Sequence, residues 1–371
     1  MKVLFLTEWY PHRYDAMVGL FVRKHAEAVA RQDTDVCVLY LFKDEHIRKT
    51  DIIISETNHV KEVYVYYNTS YFAALYRGWK TVKTCWGMPD ICQLNVISKN
   101  ALLPLWLNLT RRTPYIIIEH WTGYLPTSFA YSGFKHKRLA EIAARKAYAV
   151  LPVSKDLGKA MQQCGIHCRR WQVINNVVDD FFYITAKQPH TKKTILHISC
   201  FDEPHKNVCG ILRAVKQVSL IRQDFQLVLV GTGMDFEHVY QYAQTLHFPE
   251  DMLVWTGEQT PEQVAKWFEV ADFFLLFSNT ENAPVVISEA LATGTPVLSS
   301  AVGGISEMLN SDTGILVDAG DETKLKENIC YMLDNYGKYD VPLLQRYGKM
   351  YSYDYVGKQF LKVYNEALEN K

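Results

Sequence analysis

The chain has 371 residues with 48% apolar content, enough for two or three domains of roughly 150 residues, so a disordered or fibrous chain is excluded. Forty basic and forty acidic side chains cancel, so no strong global field marks a nucleic-acid binder. The cancellation hides an asymmetry: residues 1–180 hold 24 basic and 16 acidic side chains (+8), and residues 181–371 hold 16 and 24 (−8).

Taken in chain order, short Val/Ile/Leu-rich runs alternate with longer amphipathic stretches, the pattern of βαβ units on a parallel sheet. Lys2–Leu6 is the first predicted strand. Its apolar run is too short for a secretion signal and is followed at once by Thr7 and Glu8. A loop through Gly19 leads to a helix pattern over about Val18 to Arg31. Strands are predicted at Val36–Leu41, Val63–Tyr67, Tyr115–Ile118 and Ala149–Val153. After Asn175-Asn176 the pattern restarts, with strands at Thr194–Ile198, Leu227–Val230, Leu253–Trp255, Phe273–Phe277 and Pro296–Leu298. The restart predicts two domains, 1–180 and 181–352, with a closing helix at about 353–371 placed to pack back on the first. Ligands of doubly wound domains bind at the carboxyl ends of the strands, so two such domains would face a cleft.

The eight cysteines are scattered without a C-x-x-C pair, which fits a reduced, cytoplasmic chain. No window approaches the ~20 apolar residues of a membrane span. Asp33-Thr34-Asp35 imitates a metal-binding pattern but precedes a strand, at the end away from the predicted ligands, so no metal and no cofactor is expected. Phe72, Tyr76, Trp79 and Trp86 align on a predicted helix with Arg77 and Lys80 beside them, and Phe134, Lys135, Lys137, Arg138, Arg145 and Lys146 form a second basic stretch. Two readings stay open: a peripheral contact with the inner face of a membrane, or aromatics that build the core under a solvated basic surface.

The most informative segment runs from Ser278 to Val297. A loop holding Glu281, Asn282 and Ala283 follows a predicted strand, and Pro284 is placed at the first helical position, where its missing N–H costs nothing. The amides of residues 285–287 would then be free for an anion, with the helix dipole assisting. Glu289 lies farther along the helix with its side chain leaning back toward the N-terminus. Carboxylates repel phosphate but accept hydrogen bonds from sugar and ribose hydroxyls, so an anion site flanked by two of them points to a nucleotide sugar.

With Glu281 to Glu289, Ala290-Leu291-Ala292-Thr293-Gly294-Thr295-Pro296-Val297, Gly303-Gly304-Ile305-Ser306-Glu307, Val230-Gly231-Thr232-Gly233, Gly19-Leu20-Phe21-Val22 and Glu119-His120-Trp121, the sequence resembles the retaining glycosyltransferases of the GT-B fold, family four, the group 1 glycosyl transferases. The resemblance implies an α/β fold of two doubly wound, Rossmann-like parallel-sheet domains, and transfer of a sugar from a nucleotide-diphosphate donor to a glycan or lipid-linked acceptor in polysaccharide synthesis. It implies catalytic roles for His120 and Glu281. Donor contacts would come from Gly19, Lys206, Asn282, Ala283, Pro284, Val285 and Glu289, with Glu289 on the ribose and Lys206 on the diphosphate. The family usually carries an arginine just before that lysine; Ser199 to His205 contains none, and Asp202 and Glu203 make the local field less favourable. A nucleotide-sugar epimerase of the same fold and a non-catalytic carbohydrate-binding protein are the rival readings. A dinucleotide enzyme is disfavoured because neither first strand is followed by G-x-G-x-x-G.

Overall fold

The computed structural model describes residues 1–370 apart from 127, 129 and 185. The chain divides into two compact units, one formed by Met1–Val177 with Tyr353–Lys371 and the other by Val178–Ser352.

The first unit contains β1 (Lys2–Thr7), α1 (Leu20–Ala30), β2 (Asp35–Lys43), β3 (Asp51–Thr57), β4 (Val60–Tyr67), α2 (Tyr71–Cys85), β5 (Ile91–Asn95), α3 (Leu102–Arg111), β6 (Tyr115–Glu119), α4 (Phe134–Lys146), β7 (Val150–Pro152) and α5 (Lys155–Gln163). Its sheet has the order β3-β4-β2-β1-β5-β6-β7. All neighbours are parallel except β3 and β4. The purely parallel expectation is corrected there: β3 is an antiparallel edge strand, and its Ile52-Ile53-Ile54 run is half-buried to exposed, unlike the buried runs of the parallel strands. Successive residues of the central strands face opposite layers. Val3, Phe5, Val36 and Val38 pack in one core with Val22 and Ala26 of α1 and with the last helix of the chain. On the other face α2 comes close enough that a Cβ on Gly78 would lie 2.9 Å from Leu39 and Val65 side chains.

The second unit contains α6 (Asp180–Tyr183), β8 (Lys193–Ile198), α7 (Glu203–Lys206), α8 (Val208–Ser219), β9 (Phe225–Val230), α9 (Phe236–Thr245), β10 (Leu253–Gly257), α10 (Pro261–Val270), β11 (Phe273–Leu276), α11 (Val285–Ala292), β12 (Val297–Ser300), α12 (Ile305–Met308), β13 (Gly314–Val317), α13 (Glu322–Asn335) and α14 (Val341–Gly348). Its six strands are parallel in the order β10-β9-β8-β11-β12-β13. Apart from β3, both sheets therefore run in the doubly wound order 3-2-1-4-5-6, with the direction of winding reversing between β1 and β5 in one and between β8 and β11 in the other. The Rossmann-like α/β class expected for the chain is the class observed.

The closing helix, α15 (Tyr353–Glu369), belongs to the first unit. It lies so close to α1 that a Cβ on Gly357 would sit 2.2 Å from the Ala28 carbonyl oxygen. The Tyr364 hydroxyl donates to Gln93, whose amide donates to Asn95 at 2.9 Å, and Asn95 in turn donates to the Leu6 carbonyl at 3.3 Å. That buried polar chain ties the helix to the centre of the sheet.

Candidate functional site

The reversal of winding in the second unit places two loops side by side at the carboxyl ends of β8 and β11. His197 joins these strands. Its ring Nδ1 lies 2.9 Å from the Leu275 carbonyl and Nε2 lies 2.8 Å from the Ser199 hydroxyl. A carbonyl only accepts, so Nδ1 carries the proton. Burial lowers its pKa to about 4, the backbone bond raises it and the nearby Lys206 lowers it further, so Nε2 stays free to accept from Ser199.

After β8 the backbone passes beside β9. A Cβ on Gly231 would sit 2.0 Å from the Ser199 carbonyl oxygen, so glycine is required by the close approach as well as by its φ of +121°. Helix α7 is one turn long and ends at Asn207, which adopts a left-handed conformation. Glu203 is turned away from any ligand role: its carboxylate accepts from the amides of Val208 and Cys209 at 2.8 and 2.9 Å and caps α8. Its negative charge is thus absorbed by the positive end of that helix.

Lys206, the last residue of α7, points to the β11 loop. Its ammonium lies 2.5 Å from Glu281 Oε1, and the Ser278 hydroxyl donates to the same oxygen at 2.7 Å. The Lys206 and Glu281 side chains are 18% and 8% exposed. The loop around them is closely braced. Asn279 N donates to the His205 carbonyl at 2.8 Å, and a His205 ring nitrogen lies 2.6 Å from the Thr280 hydroxyl. Behind Glu281, Gly303 has φ +52°, and a Cβ there would sit 1.9 Å from the Glu281 carbonyl oxygen. Gly304 N donates to the Asn282 carbonyl at 2.8 Å.

Helix α11 starts one residue later than expected: Pro284 is its N-cap, with φ −67° and ψ 120°, and Val285 is the first helical residue. The correction follows from the extended ψ that the cap needs before the helix begins. Ile287 N donates to the Pro284 carbonyl at 3.2 Å, so of the three amides expected to be free, those of Val285 and Val286 are without an acceptor among the described residues. They open the α11 N-terminus to an anion. Glu289 is buried on the same helix. The far end of α11 is fixed by close packing on α14, where a Cβ on Gly348 would meet the Ala292 backbone at 2.6 Å. Lys206 and Glu281 are therefore joined directly, and Asn282, Ala283, Pro284, Val285 and Glu289 follow on the same loop and helix.

Gly19 and His120 belong to the first unit, at the carboxyl ends of β1 and β6. A Cβ on Gly19 would lie 2.3 Å from the Trp9 carbonyl carbon, and its φ of +64° also calls for glycine. Phe21, two residues on, has its ring centroid 4.2 Å from that of His120 and 6.3 Å from that of Trp9. Burial, followed by the repulsion of His25, holds His120 well below the usual histidine range, so it is neutral at physiological pH.

Glu119 is fully buried, and its carboxylate accepts from the amides of His120 and Trp121 at 2.9 Å each and from Ile97 at 3.1 Å. It ties the loops after β5 and β6 together. Burial pushes its pKa up to about 7 although the three amides pull the other way. Next to these loops is a cavity of about 400 Å³ lined by Glu8, Trp9, Tyr71, Lys99, Asn100 and Trp121 among others. Within it Asn100 donates to the Thr7 carbonyl at 2.8 Å and to Glu8 at 3.3 Å, and accepts from the Tyr71 hydroxyl at 2.8 Å. Asp33 and Asp35 lie at the other end of the sheet, where Asp35 accepts from the Trp86 indole and pairs with Lys2 at 3.5 Å.

Residues 192–335 match the family model of glycosyl transferases group 1. Over that segment, which lies in the second unit, the chain is similar to the group 1 glycosyl transferases. One relative is N-acetyl-alpha-D-glucosaminyl L-malate synthase of Bacillus anthracis, 31% identical over 172 residues, or 44% of each chain. Another is phosphatidyl-myo-inositol mannosyltransferase of Mycobacterium leprae, 30% identical over 188 residues, or 48% of each. The matched part thus spans less than half the length of these two relatives. Among solved structures, Anabaena HepE in complex with UDP-glucose aligns over 100% of both chains with a TM-score of 0.73 and 18% identity, a likeness of fold, the GT-B fold.

Ser278, His197, Glu119 and the bracing role of Gly303 are the parts of the two sites that sequence reasoning did not assign. A signal existed for three of them. Glu119 is the one charged residue at the end of an apolar strand, Ser278 follows five apolar residues, and His197 interrupts an apolar run.

Proposed function

We propose that this protein is a group 1 glycosyl transferase that moves a sugar from a nucleoside-diphosphate sugar to a glycan or lipid-linked glycan, with retention at the anomeric carbon, in cell-surface polysaccharide synthesis. The observation that carries the reading is the Lys206–Glu281 pair beside the open N-terminus of α11, at the winding reversal of the second unit. One cation and two free amides suit a diphosphate, and two carboxylates suit sugar and ribose hydroxyls. In this reading the Val285 and Val286 amides and Lys206 hold the diphosphate. Glu281 receives a donor-sugar hydroxyl, and Glu289 the ribose. As the bond to the anomeric carbon breaks, charge gathers on the diphosphate, where a fixed cation and dipole lower the barrier most.

Glu281 is engaged by an ammonium and a hydroxyl, which makes it a poor free nucleophile for a double displacement. Front-side attack fits better: the acceptor hydroxyl enters on the face the diphosphate leaves, and its proton passes to the departing phosphate oxygen. No step in this scheme calls on a metal. Gly19 and His120 are assigned to the donor's sugar end, with neutral His120 as a hydrogen-bonding group rather than a cation. The 400 Å³ cavity of the first unit suits the acceptor, since Trp9 and Trp121 offer ring faces and Glu8, Lys99 and Asn100 offer polar partners for a carbohydrate. UDP-glucose bound to Anabaena HepE and the phosphatidyl-myo-inositol in a relative's name support a nucleotide donor and a lipid-linked acceptor.

The test is a panel of nucleotide sugars screened by thermal shift, with the best binder then assayed for sugar transfer. A donor raises the midpoint as RT ln(1 + [L]/Kd). Glu281→Ala is expected to remove transfer while the chain stays folded. Full transfer by that variant, or conversion of donor to an isomer without acceptor, would overturn the reading.

A further inference from the structure

At the opposite end of the first unit's sheet, where the chain enters β6 and β7, lies a cavity of about 620 Å³. Arg112, Arg145, Lys146, Arg169 and Arg170 line it. Arg170 is engaged by Glu366 and by the Tyr148 hydroxyl. The side chains of Arg112, Arg145, Lys146 and Arg169 make no ion pair or hydrogen bond among the described residues, and all four are exposed. Four uncompensated cations around one hollow repel each other, a cost that an anionic ligand would offset.

The surroundings say which kind of anion. Leu109 is 84% exposed and Trp106 46% exposed on α3, the helix that supplies Asn108 and Arg112 to the cavity wall. Ile142 is exposed one turn before Arg145 on α4, and Phe134 at the start of that helix is 83% exposed. Helices α2 and α3 contain no acidic residue, and the single one on α4, Glu141, is paired with Arg138 at 3.0 Å. Of the aromatic stripe expected on α2, Trp79 and Trp86 are buried and only Phe72 and Tyr76 are exposed; Trp79 meets Trp106 of α3 edge-on at 6.4 Å. A soluble phosphate would use the cations and leave Leu109, Trp106 and Ile142 in water. A phospholipid surface takes both: headgroup phosphates meet the cations while the apolar side chains enter the boundary with the acyl chains.

We propose that this face is a docking surface for an anionic phospholipid bilayer, with the Arg112–Arg145–Lys146–Arg169 hollow seating a headgroup phosphate. The inference goes beyond the transferase reading and stands on different residues. Among the described residues no helix is long and apolar enough to cross a membrane, so docking would be peripheral.

The full chain is sedimented with vesicles of phosphatidylcholine alone, and with vesicles also containing phosphatidylglycerol. It is expected to pellet with the second and not the first, and to be released by salt. Arg112→Gln, Arg145→Gln, Lys146→Gln and Arg169→Gln together are expected to weaken binding at least ~100-fold, and Leu109→Ser about 10-fold. A control with the same charge change on other exposed cations of this unit, Arg48, Lys49, Lys159 and Lys362, is expected to lose far less. Equal loss in the control, pelleting with neutral vesicles alone, or no pelleting would overturn the proposal. So would full binding by Leu109→Ser combined with complete release by inorganic pyrophosphate, the signature of a soluble-anion site. Donor-induced thermal stabilisation should be unchanged in every variant, so a failure here is separable from a failure of the donor site.

Discussion

The bond between Lys206 and Glu281 yields a prediction that separates the two roles assigned to them. In the free chain the ammonium is 2.5 Å from the carboxylate, and both side chains are largely buried. A diphosphate arriving at the α11 N-terminus must share or take that ammonium. Removing it by Lys206→Met should therefore cost the diphosphate one charge-assisted hydrogen bond, about 1.5–3 kcal/mol, or roughly 10- to 150-fold in Kd. Glu281→Gln removes the competing charge and keeps an acceptor for Ser278. Its affinity for the free nucleoside diphosphate should stay within about 3-fold of the original or improve, while sugar transfer falls at least ~100-fold because the sugar hydroxyl loses its charged acceptor. Isothermal titration with the nucleoside diphosphate, paired with a transfer assay using the intact donor, reads both quantities. If Glu281→Gln weakens the free nucleoside diphosphate as much as Lys206→Met does, the division of labour is wrong and the pair is a structural bridge.

Three further outcomes follow from the geometry. Gly303→Ala forces a Cβ to within 1.9 Å of the Glu281 carbonyl oxygen at a φ that alanine resists, so stability should fall by about 3 kcal/mol or more, read by urea denaturation, with transfer lost in step. Glu203→Ala uncaps α8 and should cost about 1–2 kcal/mol in the same measurement without abolishing donor binding. On acidification, buried His25 and His197, each lowered to about 4, must gain a proton they hold more readily when unfolded, so each contributes stability that is lost between pH 6.5 and 4, about 3 kcal/mol apiece. Glu119, raised to about 7, acts in the opposite sense and adds stability as pH falls from 7 to 4.5. The net is a chain less stable at pH 4.5 than at 7, and Glu119→Gln should steepen that loss. Equal stability at the two pH values would contradict the assigned burial of the histidines.

The sequence made the second unit legible because its chemistry is local. Glu281, Pro284, Glu289 and Gly294 lie on one continuous loop and helix, where residue spacing and helix-end preferences act directly. The Rossmann-like class was legible for a similar reason, since strands buried on both faces read as apolar runs. What escaped was set by contacts distant in sequence. Strand β3 pairs antiparallel at an edge that its Ile52-Ile53-Ile54 run does not reveal, and β5 reads ICQLN because Gln93 and Asn95 serve a polar chain ending on Tyr364, 271 residues from Gln93 in sequence. The spacing of Trp79 and Trp86 leaves a membrane face and a core face equally open, and burial, with packing against α3 and the bond to Asp35, decides for the core.

Lys206 shows the same limit in a more consequential way. The family resemblance makes Lys206 a phosphate ligand, but the fold gives it a carboxylate partner 75 residues on. The missing arginine makes this matter. In the proposed reading a second cation would let Lys206 stay with Glu281 while the other met the diphosphate; with no arginine in Ser199–His205, donor entry would draw on the pair itself. In the proposed reading the Val285 and Val286 amides would then carry more of the anion's charge than in a site with two cations. A remote substitution tests this: the far end of α11 is held by the packing of Gly348 on Ala292, so Gly348→Ala, with a Cβ 2.6 Å from the Ala292 backbone as the lever, should weaken nucleoside diphosphate binding by tilting the whole helix and its N-terminal amides.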